Sequence, residues 1–357
     1  MDKMKNSEAL KRQLAQLEAD YVSGAKKILG KALLSAKKGD KDAYDVLRSA
    51  KPETVTSSIY SVAKRNKLVL DGMASFRRSI SIRHYARQLQ HWEREWVLND
   101  KMVGLYFASQ MGIDTPRIHA RATLPECVAV CREGNMVLKP ENGAGSRYVY
   151  LVHSDDAVYS VKDSRWTDLS AVNGYLADEI KHGKVKDSWI VEDLLLETSR
   201  DGSRTPSRDL KFYCFYGKCG LVLEIRREPR IEYCFWMPDG RQVVTGKYES
   251  EHFAGDGATP AQIQLVEDLS REIPAPFMRI DFLKSDQSVT GMLLGEFTPS
   301  PGTYEDFNEE FDRYLGTQFC MAEERLFRDL IAGKTFAFFR DKAPTRQQAV
   351  EHLLARR

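Results

Sequence analysis

The sequence predicts an α+β fold, with an all-helical first third followed by antiparallel hairpins that have helices beside them. Two observations carry this expectation. Apolar residues in the first hundred positions recur at helical spacing, and two later stretches, 208–228 and 276–302, each read as paired β-rich runs around a turn. Hairpins of this kind exclude a doubly wound parallel sheet.

The elements follow in order. Leu10, Leu14, Leu17, Tyr21 and Ile28 stand at spacings of three, four and seven, which is one face of a long first helix. That face serves equally well as core or as a homodimer seam. Gly24 and Gly30 weaken the helix without ending it. "KKGDKD" at 37–42 is a turn, a second helix covers 42–49, and "KPET" at 51–54 leads into the next. Residues 78–98 read as helix, with Trp92 and Trp96 four apart on one packing face. A helix at 100–111 gives way at "GIDTP" to a short extended piece. "CVAVCREGNMVLKP" contains a buried strand ending at Lys139, and "RYVYLVHS" at 147–154 is its partner across a Gly-rich turn. "SWIVEDLLLE" at 188–197 is apolar with an acidic break, and helices are expected at 259–272, 322–332 and 344–356.

Composition narrows the class. The 357 residues are 42% hydrophobic and 29% charged, ordinary for a globular protein with a sizeable core. No apolar run approaches the ~18 residues of a membrane span, and the N-terminus lacks the apolar region of a secretory signal. Six cysteines form neither a CxxC pair nor a Cys/His metal spacing, so reduced thiols in a cytoplasmic protein are expected. Charge is asymmetric. Residues 1–100 hold 20 Lys/Arg against 12 Asp/Glu, and the remainder holds 33 against 39. A basic first third suits an anionic partner, although solvated helices explain it as well.

Four stretches carry chemistry. In "LKPENGAGS", Gly143 and Gly145 let backbone N–H groups approach phosphate oxygens, and Lys139 adds a point charge. The stretch is neither a P-loop nor a dinucleotide fingerprint. In "RIDF", Arg279 and Asp281 share one face of a strand, and in "GEFT", Glu296 and Thr298 share a face of the returning strand. Pairing the two strands brings Asp281 and Glu296 together, and two such carboxylates call for a counter-charge such as Mg²⁺. A structural ion pair between Asp281 and Arg279 is the rival reading. In "RDLKF", Asp209 and Lys211 share a face, and in "VEDLLLE", Glu192 and Asp193 sit among apolar residues.

The order of these signals is more specific than any of them. "LKPENGAGS", "IVEDLL" and "RIDF…GEFTPSPGT", preceded by "LNDKMVGLYFASQMGIDTP", together resemble the ATP-grasp superfamily over about 98–320. Within it, "DLKFYCFYGK" and the Glu-Phe-Thr ending are most similar to the TupA-like proteins of teichuronopeptide and cell-surface polysaccharide synthesis. The resemblance implies a fold of two α+β subdomains clasping ATP. It divides the chain into a helical region (1–97), an N-terminal grasp subdomain with the Gly-rich loop (98–195), a C-terminal subdomain with the Mg²⁺ site (196–333) and a closing helix (334–357).

It also implies roles. Lys139 and Lys211 would contact ATP phosphates, assisted by Lys101, while Gly143, Gly145 and Ser146 close over them. Glu192 and the backbone of Asp193, Leu194 and Leu195 would hold adenine, and Glu197 the ribose. Asp281 and Glu296 would ligate Mg²⁺, with Thr298 where the family usually has asparagine. Arg279 would stabilise the transferring phosphoryl group. The implied reaction is carboxylate–amine ligation through an acyl phosphate, with release of ADP and phosphate. The implied substrates are small carboxylates and amines, an acidic sugar or surface glycan among them, and no nucleic acid. A kinase acting on a sugar or other hydroxyl acceptor is the alternative.

Overall fold

The computed structural model describes residues 2–89, 94–141, 146–198, 202–227, 230–340 and 344–355, with side chains from Ser7 onward. Gly143 and Gly145 of the Gly-rich loop, and Trp92 of the expected Trp pair, lie outside the described residues. The chain divides into two compact units, residues 1–81 with 309–317, and residues 82–308 with 318–357.

The first unit contains helices α1 (Asp2–Lys37), α2 (Asp42–Arg48) and α3 (Ser57–Asn66). Leu29, Ala32 and Ala36 of α1 pack with Ala43, Leu47, Ile59 and Val62 into one buried cluster. Thr56 caps α3, its hydroxyl accepting from the Ile59 N–H at 3.4 Å, and the left-handed Lys67 ends it. Helices α4 (Phe76–Gln88) and α9 (Glu309–Ile331) begin in this unit and continue into the other. At Gly316 a Cβ would stand 2.4 Å from the Ser75 nitrogen, so only glycine permits that approach. The first-helix face resolves against one of its two readings, because Leu10, Leu14, Leu17, Tyr21 and Ile28 are all exposed.

The second unit is built on two six-stranded antiparallel sheets. The first uses β1 (Ile118–Ala122), β2 (Met136–Pro140), β3 (Tyr150–Ser154), β4 (Ala157–Ser160), β5 (Arg165–Thr167) and β6 (Trp189–Asp193), in the order β1-β6-β2-β3-β4-β5. The expected strand is β2, while residues 127–131, at the start of the stretch expected to contain it, belong to helix α6 (Leu124–Cys131). The Glu126 carboxylate caps its start by accepting from the Thr123 N–H at 3.1 Å. With α7 (Leu169–Lys181), α6 covers one sheet face, burying Met136, Leu138, Trp189 and Val191. Alternation then sends Val137, Lys139, Ile190 and Glu192 to the other face.

A short hairpin of β7 (Leu196–Thr198) and β8 (Arg204–Pro206) leads to the second sheet. That sheet uses β9 (Asp209–Cys214), β10 (Cys219–Arg226), β11 (Glu232–Trp236), β12 (Gln242–Val243), β13 (Met278–Lys284) and β14 (Met292–Thr298), in the order β12-β11-β10-β9-β13-β14. Helix α8 (Pro260–Arg271) carries a capping box of Thr259 and Gln262. Both expected hairpins are present, and the expected 322–332 helix starts earlier, at Glu309, with three acidic residues in its first turn. Expected helix over 78–98 instead ends at Gln88 and resumes as a short 3₁₀ turn, Arg94–Asn99. Helix α5 (Lys101–Gln110) is capped by Asp100, and α10 (Ala337–Arg340) and α11 (Arg346–Ala355) close the chain.

Candidate functional site

The second sheet presents one charged face, and strand parity explains it. Asp209 and Lys211 alternate with the buried Leu210 and Phe212 on β9, and Arg279 and Asp281 alternate with Ile280 and Phe282 on β13. Strand β14 needs a device to join them. Phe282 pairs with Leu294 but Asp281 pairs with Glu296, so Gly295 is an extra residue, a β-bulge. The bulge reverses parity. Leu294 stays in the core while Glu296 and Thr298 face Asp281 and Arg279. A Cβ on Gly295 would lie 3.2 Å from the Asp281 carbonyl oxygen, tighter than ordinary contact.

The charges on this face alternate in sign. Arg227 grips Asp209 through Nε at 3.0 Å and Nη2 at 2.5 Å. Lys211 stands between carboxylates, its Nζ 3.5 Å from Asp209 and 2.5 Å from Asp281. Arg279 donates to both Asp281 oxygens at 2.7 Å and to the Thr298 hydroxyl at 3.1 Å. The Glu296 Oε1 lies 3.9 Å from Arg279 and 4.0 Å from Lys211, with half its side chain open to solvent. Burial alone would raise the Asp281 pKa, but Arg279 and then Lys211 outweigh it and hold it down at about 2. Asp209 is lowered in the same way, by Arg227 and then Lys211 against burial. The Arg279–Asp281 ion pair of the rival reading is therefore real, and Lys211 and Glu296 join it.

A second charged group sits on the first sheet. Glu192 is 4% exposed, and its carboxylate accepts from Lys139 and lies 3.6 Å from the Lys101 Nζ. Burial, and then the charge of Lys101, lowers the Lys139 pKa well below the usual lysine range, while Glu296 opposes them. Glu296 on the second sheet thus acts on Lys139 of the first in the sense of favouring its charged form. A direct bond joins the two sheets, since Arg227 Nη1 donates to the Ser146 hydroxyl at 3.0 Å. Ser146, at φ 60°, ends the Gly-rich loop.

Residues near the expected adenine position are otherwise engaged. The Asp193 carboxylate holds the Arg117 N–H at 3.0 Å and His119 at 2.7 Å. The N–H groups of Asp193 and Leu194 donate to Arg117 and Asn135 carbonyls, and the Leu195 carbonyl accepts from Ser207. Both leucine side chains are buried. Glu197 stands apart from the lysines. It is 5% exposed and accepts from three Arg208 donors, the backbone N–H at 2.9 Å and Nε and Nη2 at 2.8 Å.

Several neighbours escaped the sequence reading. Arg227 carries the sheet-to-sheet bond, and its only prior signal was its place two residues beyond Ile225, on the same parity as Leu223 opposite Lys211. Lys247 is buried, its Nζ donating to the Gly302 and Thr303 carbonyls at 2.8 and 2.9 Å, with its pKa brought down to about 8 by burial and then by Arg279. Arg346 on α11 reaches Asp100 at 3.2 Å and Glu141 at 2.8 Å, so the closing helix touches the cap of α5 and the start of the Gly-rich loop.

The donor set suits a hard cation. Asp281, Glu296 and Thr298 offer only oxygen, and Mg²⁺ commonly takes one or two carboxylates and completes its shell from water and phosphate. Among the described residues no cluster of three or more His, Cys, Asp or Glu could hold a metal by protein ligands alone. No described helix is long and apolar enough to cross a membrane.

Among known proteins, one family model matches this chain and several solved structures are similar to it. The family model described as TupA-like ATPgrasp matches residues 79–320, more than half of the chain. Similarity extends to the solved structure of the ATP-grasp ligase PsnB with its minimal precursor, at 13% identity over 64% of this chain and 62% of that chain, TM-score 0.39. It extends also to D-cycloserine synthetase DcsG, at 17% identity over 65% and 71%, TM-score 0.37. A third is the D-alanine–D-alanine ligase from Helicobacter pylori, at 14% identity over 65% and 61%, TM-score 0.36. The chain thus spans less than two thirds of PsnB, and nothing about mechanism rests on these likenesses. No curated protein matches significantly. The hairpins, their order along the chain and the matched segment lead to one assignment, as the sequence resemblance implied: this chain belongs to the TupA-like ATP-grasp family.

Proposed function

We propose that the protein is an ATP-dependent carboxylate–amine ligase that works through an acyl phosphate and adds an amino acid or peptide to an acidic sugar or surface glycan. One observation supports it above the others. Arg227, Lys211 and Arg279 surround the two buried carboxylates Asp209 and Asp281, with Glu296 directly opposite Asp281 and favouring the charged form of Lys139 on the facing sheet. These three cations are balanced by Asp209, Asp281 and Glu296, so Lys101 and Lys139 on the facing sheet, with Mg²⁺ on Asp281 and Glu296, would supply the net positive charge that favours a polyanion such as a triphosphate.

In this reading Lys139, Lys211 and Lys101 bind the phosphates of ATP, and Gly143, Gly145 and Ser146 close over them. Glu192 acts through the lysines it holds in place, and the 193–195 segment, with Leu194 and Leu195, borders the adenine. Glu197 is the ribose candidate, and Arg208 must release it to serve. Asp281, Glu296 and Thr298 would hold Mg²⁺, which when bound neutralises phosphate charge. Arg279 donates into the position where negative charge develops as the phosphoryl group passes to the substrate carboxylate. Fixed donors of this kind supply much of the catalysis in phosphoryl transfer. The closed loop keeps water from the acyl phosphate until an amine attacks its carbonyl carbon and phosphate leaves.

The basic first hundred residues supply positive charge for an anionic acceptor. The test is turnover of the full chain with ATP and Mg²⁺ over pools of amino acids and uronic acids. We expect ADP, free phosphate and a new amide mass. AMP as product overturns the reading, and a stable phosphorylated product without free phosphate marks a kinase instead.

A further inference from the structure

Residues 7–21 of α1 are exposed on every side, whereas the helix packs into its own unit only from Leu29 onward. A solitary helix of that length is marginal in water, so a partner that covers its apolar stripe would stabilise it. The stripe is narrow. Leu10, Leu14, Leu17 and Tyr21 alternate steps of four and three, the a and d positions of a heptad, and each is at least half exposed. A helix lying on a membrane carries a broader apolar face, and here Glu18 and Asp20 flank the stripe, which anionic lipid would repel.

We infer that this stripe is a self-association seam and that its occupant is α1 of a second copy, running antiparallel. The flanking charges select the alignment. With Leu14 against Leu17 and Leu10 against Tyr21 of the second copy, Lys11 falls beside Glu18 of the other helix, twice by symmetry. Shifting the helices by one heptad in one direction places Glu18 beside Glu18. Shifting them the other way places Lys11 beside Lys11. Parallel pairing brings Gln13 to Glu18 and Asp20 to Ala25, which makes no ion pair. Among the described residues neither Lys11 nor Glu18 has an ion pair of its own, while Arg12 and Glu8, on the outer face, do pair at 3.7 Å.

The inference is independent of the catalytic reading and is tested on the full chain by sedimentation velocity across a concentration series. The wild type is expected to move from 40.7 kDa towards twice that mass. Leu14→Lys with Leu17→Lys is expected to remain at 40.7 kDa with unchanged helicity, since both positions are exposed in the single chain. Lys11→Glu and Glu18→Lys should each weaken the dimer about tenfold, and the two together should restore it. A wild-type chain that stays monomeric, or that binds phosphatidylserine vesicles in place of itself, overturns the seam. A dimer that survives the double lysine variant overturns its location, and failure of the charge swap to restore association overturns the antiparallel alignment.

Discussion

Replacement of Lys139 by methionine separates its part in the fold from its part in turnover. Glu192, 4% exposed, depends on Lys139 in direct contact and on Lys101 at 3.6 Å. Removing one partner of a buried ion pair typically costs about 3–5 kcal/mol. Because Lys101 stays within reach, the lower end applies, ~3 kcal/mol, a large share of an ordinary stability of about 5–15 kcal/mol. For a urea slope of about 3 kcal/mol per molar, the unfolding midpoint falls by ~1 M. The double variant Lys139→Met/Glu192→Gln removes both charges, and we expect it to recover at least half of that loss, since an absent pair costs far less than a broken one. ADP release should vanish in both variants. Midpoints are read by far-UV circular dichroism, and ADP release by a coupled assay. An unchanged midpoint in Lys139→Met would refute the buried pair. Full turnover in the double variant would refute a role for Lys139 at the nucleotide.

Three further outcomes are expected. Glu296→Gln should abolish ADP release while shifting the unfolding midpoint little, because a half-exposed carboxylate near 4 Å from its cations contributes at most ~1 kcal/mol. Asp281, held at about 2 against an ordinary 3.8, stabilises the fold fully above its unfolded pKa, and that contribution is lost as pH falls towards its folded one. Between about pH 5 and pH 3, wild type should lose ~1 kcal/mol relative to Asp281→Asn, measured by urea unfolding. Lys247 runs in the opposite direction. With its folded pKa at about 8 and its unfolded one at 10.5, the unfolded chain binds more protons between those values, so stability rises with pH there. The wild-type slope over that window should exceed that of Lys247→Met by up to ~1.4 kcal/mol per pH unit, and parallel slopes would place the lysine in solvent.

Sequence alone determined what strand and helix periodicity can express. Residues two apart on a strand share a face, so Arg279 with Asp281, and Glu296 with Thr298, were legible from spacing alone, as was the hairpin that pairs them. The family was legible from the order of motifs. Helix α6 was not, because its apolar run of five residues, 127–131, also fits a buried strand, and the Thr123–Glu126 cap marks it as helix.

Tertiary structure decided what each of those faces meets. No local rule brings Arg227 to Ser146, lets Glu296 act on Lys139, or sends Arg346 from the last helix to Asp100 and Glu141, since those pairs lie far apart along the chain. Nor could spacing say that Glu192 would be bound by two lysines and Glu197 by Arg208. The first helix shows the division most plainly. Its stripe of Leu10, Leu14, Leu17 and Tyr21 reads the same whether buried or bare, because periodicity fixes which side chains align and not what covers them, and only the folded chain leaves that stripe in solvent.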